Sequence, residues 1–126
     1  MPAQLDHTIV RSHDRFASAR FLAELIDEPE PKEFGPFACL PLTNGVTLDY
    51  LDVEGDITSQ HLAFLVSDEE FDAVFRRITD RGVPYWADPR FLQAQQINRY
   101  HGGRGLYVQD PDGHSLEFMT RTYVIE

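Results

Sequence analysis

Gly113-His114-Ser115-Leu116-Glu117-Phe118, near the end of the chain, repeats a pattern first met in Gly45-Val46-Thr47-Leu48-Asp49-Tyr50. In both stretches a glycine is followed four positions later by a carboxylate standing between a leucine and an aromatic residue. A second echo accompanies the first: Asp6-His7 opens an early apolar segment, and Gln60-His61 opens a later one. The carboxylates lie farther apart than the histidines. The surplus falls in Ala87 to Gly103, a polar stretch with little periodicity, where an insertion into one copy belongs. A duplicated unit fixes the architecture before any single element is assigned.

Working outward, Leu5 to Arg11 is short and β-branched and predicts a strand. Between Asp14 and Asp27 the apolar residues Phe16, Ala19, Leu22, Ala23, Leu25 and Ile26 recur at helical spacing. Glu28-Pro29-Glu30-Pro31 ends that helix, because proline cannot join the helical ladder. Phe37 to Leu42 and Val46 to Glu54 read as two strands joined through Thr43-Asn44-Gly45. The order then restarts. Gln60 to Ser67 predicts a strand, and Ser67 with Glu70 has capping-box spacing ahead of the stripe Phe71, Val74, Phe75 and Ile78, which stops at Gly82. Leu106 to Gln109 and His114 to Thr122 predict two more strands around the turn Asp110-Pro111-Asp112-Gly113. The chain reads as strand-helix-strands, twice.

Strand periodicity turns the repeat into a chemical statement, since neighbouring side chains point to opposite faces. Leu116 and Phe118 face a helix-covered core, which leaves Glu117 on the other side. Leu48 and Tyr50 do the same for Asp49. Thr8 and Val10 oppose His7, and Leu62, Phe64 and Val66 oppose His61. Each copy therefore offers one imidazole and one carboxylate on its concave face. Taken singly, each residue is more readily a strand-end histidine satisfied by backbone groups or a solvated acid. Four in register across a repeat form an N/O ligand set suited to one divalent metal ion, Zn, Ni, Fe, Co or Mn, with positions left for water and substrate.

Composition bounds the rest. The 126 residues are 42% hydrophobic and 25% charged, which predicts a single domain spanning residues 1–126. Eleven basic against 21 acidic residues give a net charge of −10, which argues against nucleic acid or an anionic membrane as partner. A small molecule is the expected ligand. The single cysteine, Cys39, excludes a disulfide framework within one chain, and no apolar run is long enough for a membrane span. The N-terminus lacks a basic start and an apolar stretch, so a cytoplasmic protein is expected.

Asp6-His7-Thr8-Ile9-Val10, His61-Leu62-Ala63-Phe64 and above all Leu106-Tyr107-Val108-Gln109-Asp110-Pro111-Asp112-Gly113-His114-Ser115-Leu116-Glu117-Phe118 resemble the vicinal oxygen chelate superfamily. This is the glyoxalase, bleomycin-resistance and extradiol-dioxygenase group. The resemblance covers nearly the whole chain and implies an α+β fold. Two βαβββ modules, here about 4–54 and 59–123, would form a half-open β-cup around a metal. By position, His7, His61 and Glu117 match ligand positions and Asp49 the fourth, with Glu117 also the expected catalytic group. Asp49 is one methylene shorter than the Glu or Gln of metal-dependent glyoxalases. It ligates after a small backbone adjustment, acts through a water, or does not ligate. Members of this length commonly dimerise, each metal being completed by modules from two chains. The short acidic linker Glu54-Gly55-Asp56 agrees with such a homodimer.

The resemblance implies a divalent-metal-dependent glyoxalase- or dioxygenase-like enzyme acting on a small oxygen-chelating substrate. The alternative is a protein that sequesters an antibiotic or natural product, as bleomycin-resistance proteins do; a full ligand set favours the enzyme. Tyr107 matches a position that contacts substrate in fosfomycin-modifying relatives, and its parity puts it with Gly105 and Gln109, on the face assigned to the cup. Tyr100 and Arg104 sit in or beside the extra loop, where recognition residues are expected. Trp86 lines the cup or anchors the loop; we expect the former.

Overall fold

The computed structural model describes residues 2–125, and the chain divides into two compact units, Met1–Thr58 and Ser59–Glu126. Unit 1 runs β1 (His7–Ser12), α1 (Arg15–Leu25), β2 (Lys32–Phe34), β3 (Phe37–Pro41) and β4 (Thr47–Asp52). Its mixed sheet has the order β1-β4-β3-β2, with β1 parallel to β4 and the other pairs antiparallel. Asp14 caps α1 by accepting from the Ala17 N–H at 3.1 Å. The buried stripe Ala19, Leu22, Ala23 and Leu25 meets a sheet face of Val10, Ala38, Leu40, Leu48 and Tyr50, all 3% exposed or less.

Unit 2 runs β5 (His61–Leu65), α2 (Asp68–Asp80), β6 (Gly105–Gln109) and β7 (Ser115–Met119), with the order β5-β7-β6. Ser67 caps α2 by accepting from the Glu70 N–H at 3.1 Å, as the capping-box spacing predicts. Gly82 then takes the left-handed conformation, φ +65°, that lets the chain leave the helix. Phe71, Val74 and Ile78 of α2 are buried, as are Leu106, Val108, Leu116 and Phe118 on the inner strand face. Phe64 stacks on Phe118 at 5.4 Å. Each sheet is open rather than closed on itself, in an α+β fold of two modules.

Two differences from the sequence reading are informative. The three-residue β2 shows no alternation, because all of its residues are exposed; only pairing with β3 across a tight turn makes it a strand. In unit 2 the matching place beside β6 is taken by single bridges from Trp86 to Tyr107 and from Asn98 to Gly105. The extra loop lies along the sheet edge instead of completing a strand. No helix among the described residues is long and apolar enough to cross a membrane.

Candidate metal centre

On unit 2 the open sheet face carries Ala63, Glu117 and Tyr107 side by side across β5, β7 and β6. His61 stands two residues before Ala63 on that face. Its Nε2 donates to Oε1 of Glu117 at 2.9 Å, with the His61 side chain half exposed and Glu117 12% exposed. Ala63 fills little space beside the carboxylate. Tyr107 is buried, and its ring lies 5.8 Å from that of His61. Burial, the charge of Glu117 and a hydrogen bond to that carboxylate raise the Tyr107 hydroxyl well above its ordinary range. It therefore stays protonated and donates to Glu117.

These residues line a cavity of about 400 Å³ with Tyr100, His101, Met119 and Tyr123. The 3-10 turn Tyr100–Gly102 presents the first two, and His101 is held at φ +58°. Its ring lies 6.4 Å from Tyr100 and 5.9 Å from Tyr123. The turn is fixed from below. Asn98 donates to the Ala87 carbonyl at 2.8 Å and accepts from the Tyr100 N–H at 3.1 Å. A Cβ on Gly105 would approach Oδ1 and Nδ2 of Asn98 to 2.8 and 3.0 Å. Asn98 is buried and doubly bonded, so it cannot swing aside. Gly105→Ala is expected to destabilise the protein by about 1–3 kcal/mol through overpacking. Urea denaturation measures this; an unchanged midpoint would show that the loop yields.

Unit 1 has its own imidazole and carboxylate on the open face. Oδ2 of Asp6 lies 2.7 Å from Nδ1 of His7, which is raised in pKa by this hydrogen bond, partly offset by desolvation, with smaller contributions from the charges of Asp6 and Asp49. The arrangement leaves Nε2 as the outward nitrogen, and a carboxylate on the other nitrogen is how ligating histidines are commonly oriented. Asp49 pairs with Ile9 on one side and Cys39 on the other. Desolvation, then a hydrogen bond to Asp49 and its charge, push the Cys39 thiol up to about 11. At pH 8 such a thiol is about 1 part in 1,000 thiolate, against about 1 in 4 for a free cysteine. Alkylation by iodoacetamide is therefore expected to run at least 100-fold slower than for a model thiol. A model-like rate would show that Asp49 does not hold the proton.

Of the residues expected to contact substrate, Tyr107 and Tyr100 line the cavity. Arg104 does not. It donates to Asp72 at 2.7 Å and to the Asp68 carbonyl at 3.0 Å, and lies over the Phe71 ring, so it ties β6 to α2. Trp86 packs edge-on against Phe91 at 4.9 Å within the extra loop, which is the anchoring role. His101, Met119 and Tyr123 line the cavity as well. Met119 shares the strand parity of Glu117, and His101 belongs to the extra loop where recognition residues are expected; Tyr123 lies beyond the last strand, where periodicity says nothing.

A metal would fit the unit 2 pair. An imidazole nitrogen and a carboxylate oxygen are ligands that divalent ions take, and His61 and Glu117 would hold one from side by side, 2.9 Å apart on the open face. A different trio, Asp110, Asp112 and His114, also has ligand atoms within 4.8 Å of one another. Its donors hold the turn: Oδ1 of Asp110 accepts from the N–H groups of Asp112 and His114, both at 2.9 Å.

The profile of the Glyoxalase/Bleomycin resistance protein/Dioxygenase superfamily matches residues 4–118. The chain belongs to that superfamily. Among solved structures it is similar to Oxidase ChaP-H1, with 51% identity, 97% of this chain and 98% of that chain covered, and a TM-score of 0.94. Oxidase ChaP-H2 is 52% identical over 98% of this chain and 97% of that one, also at 0.94. Among curated proteins it is similar to Metallothiol transferase FosB of Lysinibacillus sphaericus, 33% identical over 86 residues, 63% of this chain and 55% of that protein. The chain thus spans about half the length of that curated relative.

Proposed function

We propose that this member of the superfamily is a divalent-metal-dependent, oxidase- or dioxygenase-like enzyme acting on a small oxygen-chelating substrate. The observation that carries the reading is the His61–Glu117 pair, 2.9 Å apart on the floor of a cavity. The likeness to Oxidase ChaP-H1 over nearly the full chain supports oxidative chemistry in preference to glyoxalase chemistry. His61 and Glu117, with His7 from unit 1, would hold the ion; Asp49 is the fourth candidate.

When bound, a divalent ion supplies Lewis acidity toward substrate oxygens. The residues do the rest. Tyr107 donates to Glu117 and fixes its carboxylate. Glu117 would hold or carry a proton of the bound substrate. Tyr100, His101 and Tyr123 wall the cavity and orient what enters it. We place the two units in one functional domain, in the cytoplasm, where a lone thiol is at home.

The test is metal analysis of protein purified without an affinity tag, followed by oxygen uptake with a panel of catechols and quinols. About one ion per chain and metal-dependent uptake are expected. A metal-free protein that binds a bleomycin-type drug tightly would establish sequestration instead.

A further inference from the structure

The repeat provides an internal control for His114. The two hairpin turns have the same backbone bonds: the Leu42 N–H donates to the Val46 carbonyl at 2.8 Å, and the Asp110 N–H to the His114 carbonyl at 3.0 Å. Gly45 and Gly113 donate back to Leu42 and Asp110 at 3.1 and 3.0 Å. Unit 1 thus builds this turn with Leu42 and Val46, whereas unit 2 uses Asp110 and His114. The turn itself does not need an imidazole. Yet His114 is fully buried and Asp110 is 6% exposed, and placing two polar groups there costs free energy unless their bonds return it.

The imidazole adds a bond across the sheet. Nδ1 of His114 accepts from the N–H of Gln60 at 2.9 Å, while the Gln60 carbonyl accepts from the Ser115 N–H at 2.8 Å. Ser59 Oγ adds a bond to the Gly113 carbonyl at 2.9 Å. Gln60 immediately precedes His61, so its peptide is clamped from both sides just where the half-exposed imidazole begins. Asp110 in turn fixes His114 through its backbone N–H at 2.9 Å. Unit 1 orients His7 by other means, through the carboxylate of Asp6. His61 has no such carboxylate before it, because Gln60 stands there.

We infer that His114 is a positioning residue: it anchors the start of β5 through the Gln60 N–H and so sets the His61 imidazole against Glu117. The inference rests on the metal-site reading for its functional meaning, although the positioning itself is observable without metal. Because the bond acts on backbone, an asparagine, whose Oδ1 can replace Nδ1 as acceptor, should substitute for the histidine. The pair Asp110→Leu with His114→Val copies unit 1 and keeps the turn's backbone bonds.

The experiment compares wild type, His114→Asn, His114→Ala and the double variant. Crystal structures of the metal-free proteins give the distance between His61 and Glu117, and chelator competition gives zinc affinity. Wild type and His114→Asn should keep the two side chains at hydrogen-bond distance and bind zinc within about threefold of each other. In His114→Ala and the double variant the two should stand apart, and zinc should bind at least about tenfold more weakly, as for other groups that orient a ligand. A folded His114→Ala protein that keeps both the hydrogen bond and the affinity overturns the inference and leaves the metal reading standing. A wild type that binds no zinc, with the pair separated only in the alanine and double variants, sinks the metal reading and upholds the positioning. Should the double variant fail to fold, the asparagine-against-alanine comparison decides alone.

Discussion

His61→Ala is expected to strip the metal from the purified protein while leaving the fold in place. The binding loss is large because each ligand carries a sizeable share of the affinity. Structural zinc sites are worth about 10–16 kcal/mol, so one ligand in four accounts for about 2.5–4 kcal/mol, a loss of about two to three orders of magnitude. The folding cost is small because the His61 side chain is half exposed and lies outside the core. Its removal takes one hydrogen bond from Glu117, which Tyr107 still holds. Metal content by mass spectrometry and thermal unfolding measure the two sides together. A variant with wild-type metal content would remove His61 from the ligand set. Tyr107→Phe is a graded companion, since it removes only the group that orients Glu117. A loss of about 10-fold is expected for it.

Mixing His7→Ala chains with Glu117→Ala chains is expected to restore metal binding that each variant lacks alone. Each unit offers one histidine and one carboxylate on its open face: His7 and Asp49 in unit 1, His61 and Glu117 in unit 2. Neither set by itself supplies the three protein ligands that open metal sites commonly use. We propose that a homodimer completes the site, with His7 from one chain and Glu117 from the other. The mixed dimer then holds one intact site and one that is doubly damaged. Metal content should rise from near zero toward one ion per mixed dimer. The mixing must be done where subunit exchange is shown separately, for example by mass spectrometry of differently tagged chains. Exchange without any recovery of metal would mean that each chain builds its site alone.

Much of the molecule is legible in residue order. The duplicated Gly-x-x-x-carboxylate pattern marks the two modules, and strand parity puts His61, Glu117 and Tyr107 on one face, as the register of β5, β7 and β6 bears out. The same parity sets His7 and Asp49 on the open side of unit 1. Less is legible where periodicity fails. β2 has three exposed residues and no pattern to read. Arg104 carries the same charge wherever it points, and only the positions of Asp68 and Asp72 turn it toward α2. Trp86 is equally suited to wall or anchor until Phe91 is seen against it. His101 and Tyr123 reach the cavity from a turn and from the segment after β7.

By itself the sequence determined the family, the two-module plan and the identity of the four chelating candidates. It could do so because alternation along a strand is a local rule that ties residue order to sheet face. The tertiary structure decided what lies beside what. It brought His61 to 2.9 Å from Glu117, put Tyr107 on that carboxylate, and tied Gln60 to an imidazole 54 residues away. Those contacts depend on strand register and on the path of a loop without periodicity. Both are set by packing and hydrogen bonding between distant segments, and no local pattern encodes them.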